Sequence, residues 1–288
     1  MGLENFIPQI WSAKLLVRLR KALVFGSVVN TDYEGEIRDF GDTVKINEIG
    51  PISVSSYTKG ATLTYADLES AQKTLLIDQA KYFAFKIDDI DSAQTKPKVM
   101  NGAMQEAAYA VADTVDQFIA GLYASAGVSG SSTYLGAAGS TVAVSSGNVI
   151  ETLSYIQRYL SAGNVPTEGR WIVVPPWFVQ KLTLATEGGI ASTGVPKVRD
   201  DGVLMNGWVG KIHGLDILMS NNVSVSSTEY RIMAGNRTAI SYAGQVAKVE
   251  ALRLQTTMAD AARGLYVYGA KVVRSDSLLT SYLSEAAG

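Results

Sequence analysis

The stretch KYFAFKIDDIDSAQTK, residues 81–96, passes from an alternating apolar run into three carboxylates, Asp88, Asp89 and Asp91. Carboxylates gathered at the end of a strand can hold a divalent cation or exchange a proton, so a metal-dependent hydrolase is one chemistry this cluster permits. A calcium loop of the EF-hand type needs oxygen ligands at alternating positions, a central turn glycine and a closing glutamate. A frame opened at Asp89 offers Asp91 and then Ala93, with no glycine, so that reading fails. The structural alternative ends a strand in solvent at Asp88 and Asp89, with Asp91 or Ser92 starting a turn before Pro97.

Other chemistries fare worse. His213, in KIHGLD, is the only histidine, which excludes a multi-histidine metal centre within one chain. It could serve a serine nucleophile as base, but GVSGS at residues 127–131 misses the G-x-S-x-G elbow and lies in a low-complexity stretch. A histidine before a turn glycine reads more simply as structural. Neither a Walker-type phosphate loop nor a dinucleotide fingerprint is present. Glu106, Asp113 and Asp116 fall on the polar side of a long helix, where a solvated face is the expectation. Tyr266 and Tyr268 alternate with Leu265 and Val267 without interleaved basic residues, and are expected to pack within a strand instead of stacking on bases.

The elements that would position these residues follow from periodicity. A first helix is expected from about Pro8 to Phe25, with Trp11, Leu15, Leu19, Ala22 and Leu23 on one stripe and Lys14, Arg18 and Lys21 beside it. Such a helix docks on a neighbour more readily than on a membrane, because it lacks a broad basic face. Between residues 31 and 91 the pattern becomes period-two. GDTVKINEIG and PISVSSYTKG predict short strands, and KTLLIDQAKYFAFKID one longer ribbon. Its faces carry Leu75, Ile77, Phe83, Phe85 and Ile87 against Thr74, Asp78, Tyr82, Lys86 and Asp88, a mixture that its own domain cannot bury on both sides. After Pro97, apolar residues recur at steps of three and four from Met100 to Leu122, predicting a helix of about 25 residues, roughly 38 Å long. Residues 126–148 are Gly, Ser and Ala with almost no charge and predict an irregular connection. A helix at about 149–162, the strand RWIVVPP, a helix from Trp177, a loop over 188–207 and several further strands complete the chain.

Composition narrows the functional classes. The 288 residues are 47% hydrophobic but only 18% charged, below the roughly 25% of an average soluble domain. Such a surface is suited to contact with other protein, since interface cores are poor in charge. There is no cysteine, hence no disulfide or thiolate site. A net charge of -2 argues against tight, electrostatically driven nucleic-acid binding. Residues 1–7 lack a basic signal-peptide region, and Lys14, Arg18, Arg20 and Lys21 interrupt the one apolar tract long enough to span a bilayer, so neither secretion nor membrane insertion is expected.

Several strings in order carry a resemblance. IPQIWSAKLLVRLRKALVFGSVVNTDYEGEIRDFGDTVKI resembles the opening of tailed-bacteriophage major capsid proteins. IDQAKYFAFKIDDIDSAQ is similar to the segment leading into their spine helix, and GLYVYGAKVVRSDSLL to their final strand segment. The resemblance implies an α+β fold of the tailed-phage and herpesvirus capsid type, the Hong Kong 97 type. On that mapping residues 1–31 are an amino-terminal arm, 32–91 an extended loop, 92–146 the spine helix and connection of a peripheral domain, 147–245 an axial domain, and 246–288 the second part of the peripheral domain. It implies a shell protein that self-assembles as pentamers and hexamers around double-stranded DNA, in the virion capsid after assembly in the host cytoplasm. It implies no catalytic, cofactor or metal site, and weak, non-specific contact with packaged DNA. Scaffolding, portal and decoration proteins are the further partners it suggests. The candidate contacts between subunits are Trp11, Arg18, Lys45, Glu48, Tyr57, Lys59, Asp88 and Asp89. A nanocompartment shell of the same fold is the alternative, with the Asp88, Asp89 and Asp91 hydrolase behind it.

Overall fold

The computed structural model describes residues 24–32, 41, 43–49, 56, 59–60, 70–88, 98–128, 132–187, 208–254 and 259–286. Its longest helix is α2 (Lys98–Ala120), preceded in the chain by a single turn, α1 (Phe25–Val28). Ala108, Val111, Ala112, Val115 and Ile119 recur at helical spacing along α2 and are all buried. The helix tightens into a 3-10 turn over Gly121–Ser125, so the expected rod ends slightly early, at about 35 Å for 23 residues.

A seven-stranded sheet holds most of the core. Its strands are β4 (Val142–Val144), β5 (Arg170–Val174), β6 (Trp208–Ile212), β7 (Leu215–Met219), β8 (Ser224–Ser226), β9 (Glu229–Asn236) and β12 (Leu278–Glu285). They run in the order β4-β12-β9-β5-β7-β6, with β8 paired to β9. β5 reads RWIVV and is buried along its whole length, because β7 lies parallel on one side and β9 antiparallel on the other. Its first residue, Arg170, donates from Nε to the Pro166 carbonyl and from a terminal nitrogen to the Ser161 hydroxyl, each at 2.9 Å. Those bonds explain how a guanidinium is tolerated in the interior.

Two helices accompany this sheet, α4 (Val149–Ala162) and α5 (Pro176–Glu187), with the short α3 (Ser132–Leu135) ahead of them. α4 follows Asn148, whose carbonyl accepts the Thr152 N–H at 2.9 Å. It buries Val149, Leu153, Ile156 and Leu160, and stops at Gly163 and Asn164, where the Asn164 φ of 56° turns the chain out of the helix. α5 opens on Pro176, a residue suited to a first helical turn. The 126–148 segment is more ordered than its composition implies. Val128 bridges Leu279, and β4 lies parallel to β12. Small uncharged residues are compatible with edge pairing once a partner strand covers them.

The second sheet is three-stranded, β10 (Ile240–Arg253), β11 (Ala259–Val272) and β3 (Gln79–Asp88), all antiparallel. The single ribbon expected over KTLLIDQAKYFAFKID is in fact two strands. β2 (Ser70–Leu76) pairs with β1 (Thr43–Ile49) as a separate ladder, and the chain changes sheets at Ile77 and Asp78. The polar interruptions at Asp78 and Gln79 mark that change. On the inner face of the second sheet Phe83 covers Gly264, where a Cβ would lie 2.4 Å from the ring. Tyr268 meets Phe118 of α2 edge-on at 5.3 Å. As expected, Tyr266 and Tyr268 pack within the strand, and the Tyr266 and Tyr242 hydroxyls share a buried hydrogen bond of 2.6 Å.

Candidate functional site

Among the described residues, those singled out for chemistry do not converge. Asp88 occupies the last position of β3, opposite Ala259, while Asp89 and Asp91 lie outside the described residues. His213 is exposed in the turn joining β6 to β7, with φ of 51° followed by 77° at Gly214. That pair of left-handed residues makes a two-residue hairpin turn, which accounts for the HG dipeptide without catalysis. Among the described residues no group of three His, Cys, Asp or Glu side chains is placed to hold a metal ion.

One acid departs from its expected setting. Glu106 is exposed and Asp113 half-buried, but Asp116 is only 3% exposed. α1 and the turn after β7 cover it, and a helical wheel of α2 alone carries no sign of either. Burial raises its carboxyl above the usual carboxylate range, against hydrogen bonds from Phe25, Asn222, Ser220 and Val24 that pull it down.

What the fold does assemble is the root of a two-stranded arm. Val44 and Ile46 of β1, Leu75 of β2 and the following Ile77 close over Ala243, Val267 and Val273 in a cluster of their own. Two lysines cross this junction in opposite directions. Lys73 donates to the Val273 carbonyl, and Lys271 donates to the Thr74 carbonyl at 2.8 Å. The Gly41 N–H adds a bond to the Ile77 carbonyl at 3.0 Å. β1 and β2 therefore leave the second sheet from a fixed seat.

Beyond that seat the outer face of the sheet is open. Tyr82 is 80% exposed and stands opposite Leu265, itself 38% exposed. Next to them Glu250 receives Lys248 and Arg263, which hold its carboxyl below the usual glutamate range. An exposed aromatic and leucine framed by paired charges have the composition of an interface centre with a polar rim. The sequence did place Tyr82 among the polar residues of its strand; an aromatic on a polar face was the available signal for this surface.

Of the candidate contact residues, Lys45 is exposed on β1, Lys59 is exposed in a turn, and Glu48 lies on β1 opposite Ala71. Trp11, Arg18 and Tyr57 lie outside the described residues, as do Asp89 and the helix expected before residue 24.

The family model described as phage capsid protein matches residues 71–281, which is most of the chain. The chain belongs to the phage capsid protein family. Among solved structures it is similar to a Mycobacterium phage Che8 chain at 28% identity and a TM-score of 0.70, covering 90% of each chain. It is similar to a chain in the capsid of cyanophage P-SCSP1u at 19% identity and a TM-score of 0.67, covering 93% of this chain and 90% of that one. A virus-like particle from Pyrococcus furiosus shares the fold at 11% identity and a TM-score of 0.53, covering 95% and 98%. No curated protein matches the sequence.

The α+β fold is thus the tailed-phage capsid fold of the Hong Kong 97 type. This phage capsid protein is a structural, non-enzymatic subunit that self-assembles into the multi-subunit shell of the virion. The nanocompartment alternative is the less supported reading, because the family match is to phage capsids. The carboxylates that opened the question belong to a shell protein.

Proposed function

We propose that this capsid protein builds a closed icosahedral shell of pentamers and hexamers around a double-stranded DNA genome, and that it assembles in the host cytoplasm. The observation that carries the reading is the arm seated on the second sheet beside an exposed apolar surface at Tyr82 and Leu265. An arm held rigidly at its root can reach past the edge of its own subunit, and many such modest contacts around a closed shell combine by multivalency.

On this reading residues 1–31 form the amino-terminal arm and 32–91 the extended loop. Residues 92–146 and 246–288 form the peripheral domain around the spine helix, and 147–245 the axial domain. Trp11, Arg18, Lys45, Glu48, Tyr57, Lys59, Asp88 and Asp89 make contacts between subunits. Scaffolding, portal and decoration proteins are the partners of such a shell, and packaged DNA touches its inner wall weakly, in keeping with a net charge of -2.

Negative-stain electron microscopy of the purified protein at two concentrations, with sizing of the same samples, tests this reading. Closed shells, or rings of five and six, are the expected result. A monomer that fails to close even when a scaffold is co-expressed overturns it.

A further inference from the structure

Among the described residues, one ionisable group is buried without a counter-ion where residues 24–32 meet the rest of the chain. Asp116 Oδ1 accepts the Phe25 N–H at 2.8 Å. Its Oδ2 receives the Ser220 hydroxyl at 3.3 Å and the Asn222 side-chain amide at 3.1 Å. Three separate pieces of the chain, α1, α2 and the turn between β7 and β8, therefore meet on one carboxyl. The Asn222 amide also reaches Asp113 Oδ1 at 2.6 Å, one turn earlier on α2, so the ionisable neighbour carries the same sign of charge. Asp113 in turn accepts the Gln117 side-chain amide at 2.8 Å. Among the described residues no lysine or arginine pairs with Asp116. Arg237, from the turn between β9 and β10, is engaged with the Ser27 carbonyl at 3.1 Å. α1 itself, FGSV, brings no titratable side chain.

The docked segment is otherwise held by backbone. Asn30 donates its N–H to the Ile240 carbonyl and accepts from Tyr242, each at 2.8 Å, while Phe25, Val28 and Val29 are buried. These contacts do not depend on pH. Asp116 is the buried carboxyl of the junction, and Asp113, one turn earlier on α2, is a second and half-buried one.

We propose that docking of residues 24–30 against α2 takes up a proton at Asp116, so that acid tightens this junction and rising pH loosens it. The arrangement has a place for the proton. On Oδ2 it can be donated to Ser220 Oγ once that hydroxyl turns its own hydrogen away, and Oδ1 keeps the Phe25 N–H. When the segment lifts, water reaches the carboxyl, the desolvation that disfavours the charged form is relieved, and the proton leaves. The docked state binds the proton more tightly than the undocked one. Its contribution is therefore complete below the ordinary aspartate value of 3.8 and is lost as pH rises through the higher docked value. The seating of residues 24–30 then responds to pH through a single buried group.

Hydrogen exchange of a peptide covering residues 24–32, read by mass spectrometry between pH 4.5 and 8 and corrected for intrinsic exchange, tests the proposal. In the wild type, protection falls as pH rises, by at most about tenfold per pH unit, while a peptide from β5 stays level. Asp116→Asn, neutral at every pH, flattens the curve. Asn222→Ala moves it to higher pH, because it removes a hydrogen bond that favours the ionised form of Asp116. A level wild-type curve, or an unchanged slope in Asp116→Asn, overturns the proposal. Should Asp116→Asn fail to fold, an unmoved curve in Asn222→Ala overturns it alone.

Discussion

The seat of the arm can be broken with one methyl group. Gly269 lies on β11 opposite Ala243, directly beneath the chain that links β2 to β3. A Cβ at this position would stand 2.3 Å from the Leu76 carbonyl oxygen and 3.1 Å from both the Leu76 carbonyl carbon and Ile77 Cδ1. The nearest atom is backbone and cannot rotate aside. Since ordinary contact begins at 3.4 Å, β11 and the arm must part by about 1 Å in Gly269→Ala. Overpacking of this kind costs about 1–3 kcal/mol. Alanine also removes freedom from the unfolded chain, which offsets about 0.4–1 kcal/mol. The net loss is then centred near about 1.3 kcal/mol, and at about 2–4 °C per kcal/mol the Tm falls by about 3–5 °C. Thermal melts followed by circular dichroism measure this, with Gly121→Ala as the control, where nothing lies within 4 Å of the added carbon. Limited proteolysis adds a local readout: cleavage across residues 43–76 rises in Gly269→Ala and not in Gly121→Ala. Equal melting of the two variants, both within about 1 °C of wild type, refutes the claim that a close backbone approach seats the arm.

Two further outcomes follow from the open face of the second sheet. Tyr82→Ser leaves the Tm of the free subunit within a few degrees, because the side chain is 80% exposed, but lowers the yield of shells counted by electron microscopy. Unchanged shell yield separates Tyr82 from assembly. Glu250→Gln removes a carboxylate whose folded value is depressed first by Lys248 and then by Arg263, so its contribution is present above the ordinary glutamate value of 4.5 and is lost as pH falls through the folded value. Melts of wild type and Glu250→Gln are therefore expected to differ near neutrality and to converge as the pH drops below 4.5, with the gap narrowed by salt. A gap that persists in acid shows that Glu250 acts through packing alone.

Periodicity revealed those elements whose partners are local or whose burial is complete. The helix at Val149–Ala162 and the buried strand RWIVV were readable because capping residues, a proline pair and an unbroken apolar run mark them. Where a residue's setting depends on a distant segment, the pattern was silent. Asp116 sits at a polar position of its own helix and is buried only because Phe25 and Asn222 arrive from elsewhere. The arm shows the same limit. Alternation continues through Leu75, Ile77 and Phe83, so nothing in period two announces that Leu75 belongs to the β1–β2 ladder while Phe83 belongs to the second sheet. Residues 126–148 failed for a related reason, since glycine and serine say little about edge pairing that a strand from the far end of the chain imposes.

The position of β12 sets an order of events on the ribosome. This strand lies between β4 and β9, and among the described residues β4 has no other strand neighbour. The segment 142–144 thus emerges early and must wait, unpaired along that edge, until residues 283–285 have been synthesised and cleared the exit tunnel. Pairings so distant in sequence close slowly. A nascent subunit keeps an incomplete sheet for most of its translation, and a copy truncated before residue 278 lacks the strand that joins β4 to β9.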